Sequence, residues 1–104
     1  RPYSASDAGV QAAPCALRPN ADGLEITARL TMPSTGGAEV VVVEAGQPGI
    51  WVSETDTKRQ GKTLVATGDL VAGNGKTLVI DRSKIVITVL GKNKAVEIKG
   101  CEPA

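Results

Sequence analysis

Residues 81 to 101 alternate apolar and polar side chains with a period of two on either side of a short turn. Ile85, Ile87 and Val89 alternate with Lys84, Val86 and Thr88; beyond Gly91-Lys92-Asn93, Val96 and Ile98 alternate with Ala95, Glu97 and Lys99. This pattern predicts a β-hairpin with one face in a core and the other mostly Lys and Thr. Upstream, Leu24, Ile26, Leu30 and Met32 alternate with Glu25, Thr27, Arg29 and Thr31, which predicts a strand with a charged outer face. A turn follows at 33 to 37. Val40 to Val43 is a continuous apolar run, the pattern of a strand covered on both faces or lying at a sheet corner. After Pro48 and Gly49, Ile50 to Val52 starts another strand, and the polar run Ser53 to Gly61 reads as a long loop or an edge strand. Leu64 to Val71 and Thr77 to Ile80 add two more. The inward set is Leu24, Ile26, Leu30, Leu64, Ile85, Ile87, Val89, Val96 and Ile98.

No helical period competes, so the expected fold is all-β: an immunoglobulin-like β-sandwich of about seven short antiparallel strands. A small barrel is the alternative. Residues 1 to 14 lack periodicity and read as a flexible N-terminal arm. Residues 15 to 104 then form a single domain, without internal repeats or low-complexity segments.

Composition sharpens this picture in two respects. With no Phe, one Trp and one Tyr, the core must be aliphatic and β-branched, a composition that favours strands. The formal net charge of +1 hides an asymmetry: residues 1 to 57 hold 3 basic and 7 acidic side chains, residues 58 to 104 hold 9 and 4. Where the two halves face different ways, such a split gives a dipolar surface that steers partners. An evenly solvated mixed surface is the alternative.

Cys15 precedes the first alternating run and Cys101 follows the last. In a small, His-free, strand-rich chain such a pair is expected to form a disulfide that clips the termini in an oxidising compartment. Two buried free thiols are the alternative, disfavoured by the outward phase of Cys101 on its strand. Every apolar run falls far short of the roughly 20 residues a membrane-spanning helix needs, so no membrane insertion is expected. The chain starts without Met or an apolar leader, the form expected of a mature protein after leader removal.

Catalytic constellations are missing from the pattern. Without His, a Ser or Cys nucleophile would need Lys, Asp or Glu as its base, and no such group occurs at recognisable spacing. Glu54 and Asp56 share one strand phase and read as edge solvation rather than an acid/base pair. Two distant cysteines and scattered carboxylates make no metal site. Gly-Asn-Gly-Lys-Thr at 73 to 77 lacks the frame of a phosphate loop and reads as a tight turn. Lys92, Lys94 and Lys99 come without aromatic stacking platforms, which argues against nucleic acid. The expectation is a protein that is not an enzyme and takes no cofactor.

Thr57-Lys58 followed by Lys62-Thr63-Leu64, and Asp81-Arg82 followed by Lys84-Ile85-Val86 and Thr88-Val89, resemble the corresponding stretches of the periplasmic curli assembly inhibitors, the CsgC-like family, and most closely its CsgH branch. The resemblance spans roughly residues 23 to 100. It implies an immunoglobulin-like periplasmic protein that keeps the amyloid-forming curli subunit (CsgA) from assembling before export, a chaperone-like inhibitor; a monomer is expected. Where the CsgC branch carries Cys-x-Cys, this chain has Ser34-Thr35-Gly36-Gly37, a departure that speaks against a thiol-redox role.

Amyloid grows by adding strands to exposed backbone edges, and a charged, aromatic-poor sheet face can touch such a strand without becoming a template. On this reading Lys58, Arg59, Lys62, Arg82, Lys84, Lys92, Lys94 and Lys99 form a basic strand face that holds an acidic or amide-rich client weakly. Two other functions are open at this point. One is a structural or adhesion module that accepts a donor strand; the other is a thiol oxidoreductase, which would need an accessible cysteine of lowered pKa.

Overall fold

The structure, a computed structural model, describes residues 1–74 and 77–104. The turn expected at 73 to 77 therefore lies partly outside the described residues, at Gly75 and Lys76. The described residues form ten strands and one 3₁₀ turn: β1 Tyr3–Ser4, β2 Pro14–Pro19, β3 Gly23–Thr31, β4 Val40–Glu44, β5 Ile50–Val52, β6 Asp56–Gln60, β7 Thr63–Ala72, the turn Arg82–Lys84, β8 Val86–Leu90, β9 Ala95–Lys99 and β10 Glu102–Pro103. One sheet runs β1-β9-β8-β4. The other runs β10-β2-β3-β7-β5, with β6 also paired to β7. The molecule is thus an all-β sandwich of two packed sheets rather than a barrel.

The period-two pattern fixes which residues fill the space between the sheets. Ile26, Leu30, Leu64, Ile85, Ile87, Val89, Val96 and Ile98 are buried, and Leu24 packs against them at the margin. Within the hairpin, Ile87 lies opposite Ile98 and Val89 opposite Val96, as the alternation requires. Gly91 closes the hairpin against the loop from β3 to β4, where any Cβ would run into Thr35. Ile87→Val removes one methylene from a fully buried site and is expected to cost about 1 kcal/mol, read as a lower urea midpoint with an unchanged slope.

Several expectations are corrected. The described residues form ten strands rather than about seven, and two pairings, β1 with β9 and β10 with β2, are parallel rather than antiparallel. Both involve two-residue strands contributed by the ends of the chain, too short to leave a periodic signal. Residues 1 to 14 do not form a loose arm. Tyr3 and Ser4 pair with β9, Ala8 is buried in the core, and Gln11 N–H and Ala12 C=O bond to the main chain of Thr31 at 2.8 and 2.9 Å. Residues 77 to 80 do not join a sheet. Leu78 and Ile80 lean on the core, while the backbone on either side of Ile80 is held by a side chain: Gln47 donates to the Val79 carbonyl at 3.1 Å and accepts from Asp81 N–H at 2.9 Å.

Val40 to Val43 is also not covered on both faces. It is an edge strand whose Val41 and Val43 point inward, while Val40 and Val42 are 52% and 42% exposed. The polar run from Ser53 to Gly61 supplies β6, an edge strand on β7, one of the two alternatives left open for it.

Candidate functional site

The outer face of the larger sheet carries ordered rows of side chains. β3 turns Thr27, Arg29 and Thr31 outward, β7 sets Thr67, Val65 and Thr63 beside them, and β6 continues the rows with Asp56, Lys58 and Gln60. The central row is Arg29–Val65–Lys58. It is flanked by Thr31–Thr63–Gln60 and by Thr27–Thr67–Asp56. Lys62, exposed in the turn between β6 and β7, stands at the end of the Thr31–Thr63 row, its carbonyl accepting from Met32 N–H at 3.0 Å. Lys58 and Asp56 approach to 3.9 Å with 70% and 75% of their side chains exposed. A pair so exposed binds weakly and leaves the lysine available to a partner. Arg29 was not among the candidates, although the signal was in the sequence: it shares the outward phase of Thr27 and Thr31.

The other candidate cations are distributed over the molecule. Arg59 is not a surface contact. Its guanidinium lies against Glu39, with Nε to Oε1 at 2.8 Å and Nη2 to Oε2 at 2.9 Å, and it donates to the Met32 carbonyl at 2.7 Å. The Glu39 side chain is only 3% exposed, and it also accepts from the N–H and hydroxyl of Thr35 at 3.0 and 2.9 Å. Arg82 is likewise structural, donating to the Cys15 carbonyl at 2.7 Å. Lys92 and Lys94 belong to the hairpin turn, where Lys94 Nζ sits 5.3 Å from the centre of the Tyr3 ring, a cation–π contact. Lys84 and Lys99 are exposed at the opposite end of the sandwich, where Gly100 N–H meets the Ile85 carbonyl. The eight residues therefore do not form one basic strand face. Lys58 and Lys62 border one sheet, Lys92 and Lys94 lie on a turn, Lys84 and Lys99 occupy the far end, and two arginines work inward. The sequence phase of a residue says which side of its strand it occupies, not which end of the sandwich its strand terminus reaches.

The buried Arg59–Glu39 pair holds the β3–β4 loop against β6. The Arg59 hydrogen bonds, aided by those from Thr35 and opposed by burial, lower the Glu39 pKa from 4.5 to about 2. Asp81, which accepts from the N–H and hydroxyl of Ser83 at the start of the 3₁₀ turn, is also held below its ordinary value.

Cys15 and Cys101 form a disulfide joining residues 86 apart in sequence, with their Cα atoms 5.6 Å from each other. Cys101 is buried between β9 and β10 rather than turned outward on a strand as expected, and because both cysteines are spent in the bond the chain keeps no free thiol, which fits an oxidising compartment. Among the described residues there is no group of three or more side chains able to hold a metal, and no helix long and apolar enough to cross a membrane. The chain matches no family model, no curated protein and no solved structure.

Proposed function

We propose that this protein is a periplasmic, chaperone-like inhibitor of curli-type amyloid assembly, acting through weak contacts from the face built on β3, β7 and β6. The observation that carries this reading is the row Arg29–Val65–Lys58 set between two rows of threonine, with Lys62 at its margin. Threonine hydroxyls give and accept hydrogen bonds with an amide-rich strand, while the cations add salt-sensitive attraction to acidic groups. Two of the sheet margins, β1 and β10, are poor templates for fibril growth, being two-residue strands with Pro2 preceding the first and Pro103 within the second.

The resemblance at residues 57 to 64 and 81 to 89 points the same way, and weak binding suits a client that must be released for export. A thiol oxidoreductase is disfavoured because both cysteines are spent in the buried disulfide.

Reversing Arg29, Lys58 and Lys62 together to Glu tests the surface. These are outward positions, so the fold is expected to survive, as circular dichroism would verify. The delay of curli-subunit assembly, followed by thioflavin fluorescence, is expected to fall to that of the subunit alone. Raising salt well above physiological strength, where the Debye length shrinks below about 8 Å, is expected to shorten the delay of the unmodified protein. Undiminished inhibition under both treatments would remove this face from the account.

A further inference from the structure

The open side of the sandwich brings two strand edges, β4 and β5, toward each other. Half of the β4 edge is closed by side chains. Val41 N–H donates to the Thr57 hydroxyl at 3.3 Å, the Thr55 hydroxyl donates to the Val41 carbonyl at 2.7 Å, and the two hydroxyls are 2.8 Å apart. With the Thr55 proton on the Val41 carbonyl, Thr57 must donate to Thr55, which closes a ring of hydrogen bonds.

Since both main-chain groups of Val41 turn away from β8, the alternation of an antiparallel ladder turns those of Val43 away as well. On β5 the flanking bonds, Gly73 N–H to the Gly49 carbonyl at 2.8 Å and Ser53 N–H to the Asp69 carbonyl at 3.0 Å, set the opposite phase. Ile50 and Val52 accordingly direct their N–H and C=O groups away from β7. Where β4 runs through its connection into β5 lies a shallow groove of about 490 Å³, its apolar residues Val43, Ala45, Pro48, Ile50, Trp51 and Val52 interspersed with Glu44 and Gln47. Trp51, 60% exposed, forms its rim.

We infer that this groove receives one short, extended, uncharged strand of the amyloid-forming client, an inference that rests on the proposed function and adds a second contact to it. Main-chain donors and acceptors on both walls are matched by the backbone of an extended segment and by few other ligands. The apolar residues Val43, Ala45, Pro48, Ile50 and Val52 take that segment's side chains of one phase, leaving amide side chains of the other phase to water and to Gln47. Glu44 is the one charged side chain on the groove and no Lys or Arg lines it, so an anionic segment is disfavoured there.

The length of the pairing is limited at both ends. The threonine ring closes one, and at the other Gly46, with φ +70°, bends the chain away where any Cβ would strike the Lys84 carbonyl. A strand held over so short a stretch presents no continuous edge to a second one. The core is filled without it, so the segment can leave again.

The test is an NMR titration of isotope-labelled protein with a peptide of about seven residues alternating Val and Gln, the length and uncharged β-prone character of an amyloid-forming segment. A second titration uses the same peptide N-methylated at alternate amides. The amides of Val43, Ile50 and Val52 are expected to shift with the first peptide, and N-methylation is expected to weaken binding about tenfold, the equivalent of one or two hydrogen bonds. Shifts confined to the Arg29–Val65–Lys58 row, or equal binding of the two peptides, would overturn the groove and leave the inhibitory function standing. Failure of the intact protein to delay assembly would instead overturn that function, whatever the peptide does.

Discussion

Replacing Arg59 with Ala is expected to lower stability by about 3–5 kcal/mol, the cost of stranding a buried carboxylate without its partner. Glu39 is nearly inaccessible and takes two of its hydrogen bonds from the Arg59 guanidinium, the others coming from Thr35. Removing the guanidinium also frees the Met32 carbonyl and loosens the loop from β3 to β4. Converting both partners to Met is expected to cost less than the single change, because no charge is then left behind. Arg59→Lys keeps the charge but loses the two-pronged geometry, and belongs in between. Urea denaturation at neutral pH measures all three.

The same network sets a pH signature. The Glu39 pKa is depressed in the fold, so its stabilising contribution is complete above about 4.5, the unfolded value, and is lost as pH falls through the folded value of about 2. Between those limits the urea midpoint of the unmodified protein is expected to decline with acidification. The Arg59→Ala variant is expected to lack this part of the decline.

Removal of the disulfide is the second large effect. Cys15 and Cys101 close a loop spanning 86 positions, and in the chain-entropy account a loop of that length restrains the unfolded chain by about 4–5 kcal/mol. Cys15 is the second residue of β2 and Cys101 immediately precedes β10, which pairs with β2. The bond therefore fastens the two-residue closing strand to the sheet. Changing both cysteines to Ser is expected to lower the thermal midpoint by well over 10 °C in a domain of this size. The delay of amyloid assembly is expected to persist at temperatures where the variant stays folded, because the Arg29–Val65–Lys58 row lies on other strands. A midpoint unchanged by the double substitution would show that Arg82 and the β2–β10 pairing hold the end alone.

The strands that could be read from the sequence are those whose side chains meet two unlike environments. In β3, β8 and β9 one phase is buried and the other is wet, and the alternation of Ile26, Ile87 and Ile98 with charged or hydroxyl residues records that difference. β1 and β10 are held by backbone pairing over two residues each, which leaves no such record. Val40 to Val43 misleads for another reason: its outward valines face solvent beside the exposed Leu90, so the apolar run does not report burial. The Cys15–Cys101 disulfide was legible from the position of the two cysteines around the alternating region.

Among the candidate site residues, the exposure of Lys58 and Lys62 was legible, but the inward roles of Arg59 and Arg82 and the grouping of the rest were not. Arg59 and Lys58 are neighbours in β6 on opposite phases, and the phase places Lys58 in water and Arg59 against Glu39. Only the register of β3, β7 and β6 brings Arg29, 29 positions upstream, into a row with Lys58.

Inhibition of amyloid assembly is read from thioflavin-monitored polymerisation of purified curli subunit, with this protein absent or added below equimolar amounts. The lag is expected to lengthen with each addition while the protein itself stays monomeric and out of the fibrils; a time course that is unchanged even with the protein in excess would contradict the proposed function.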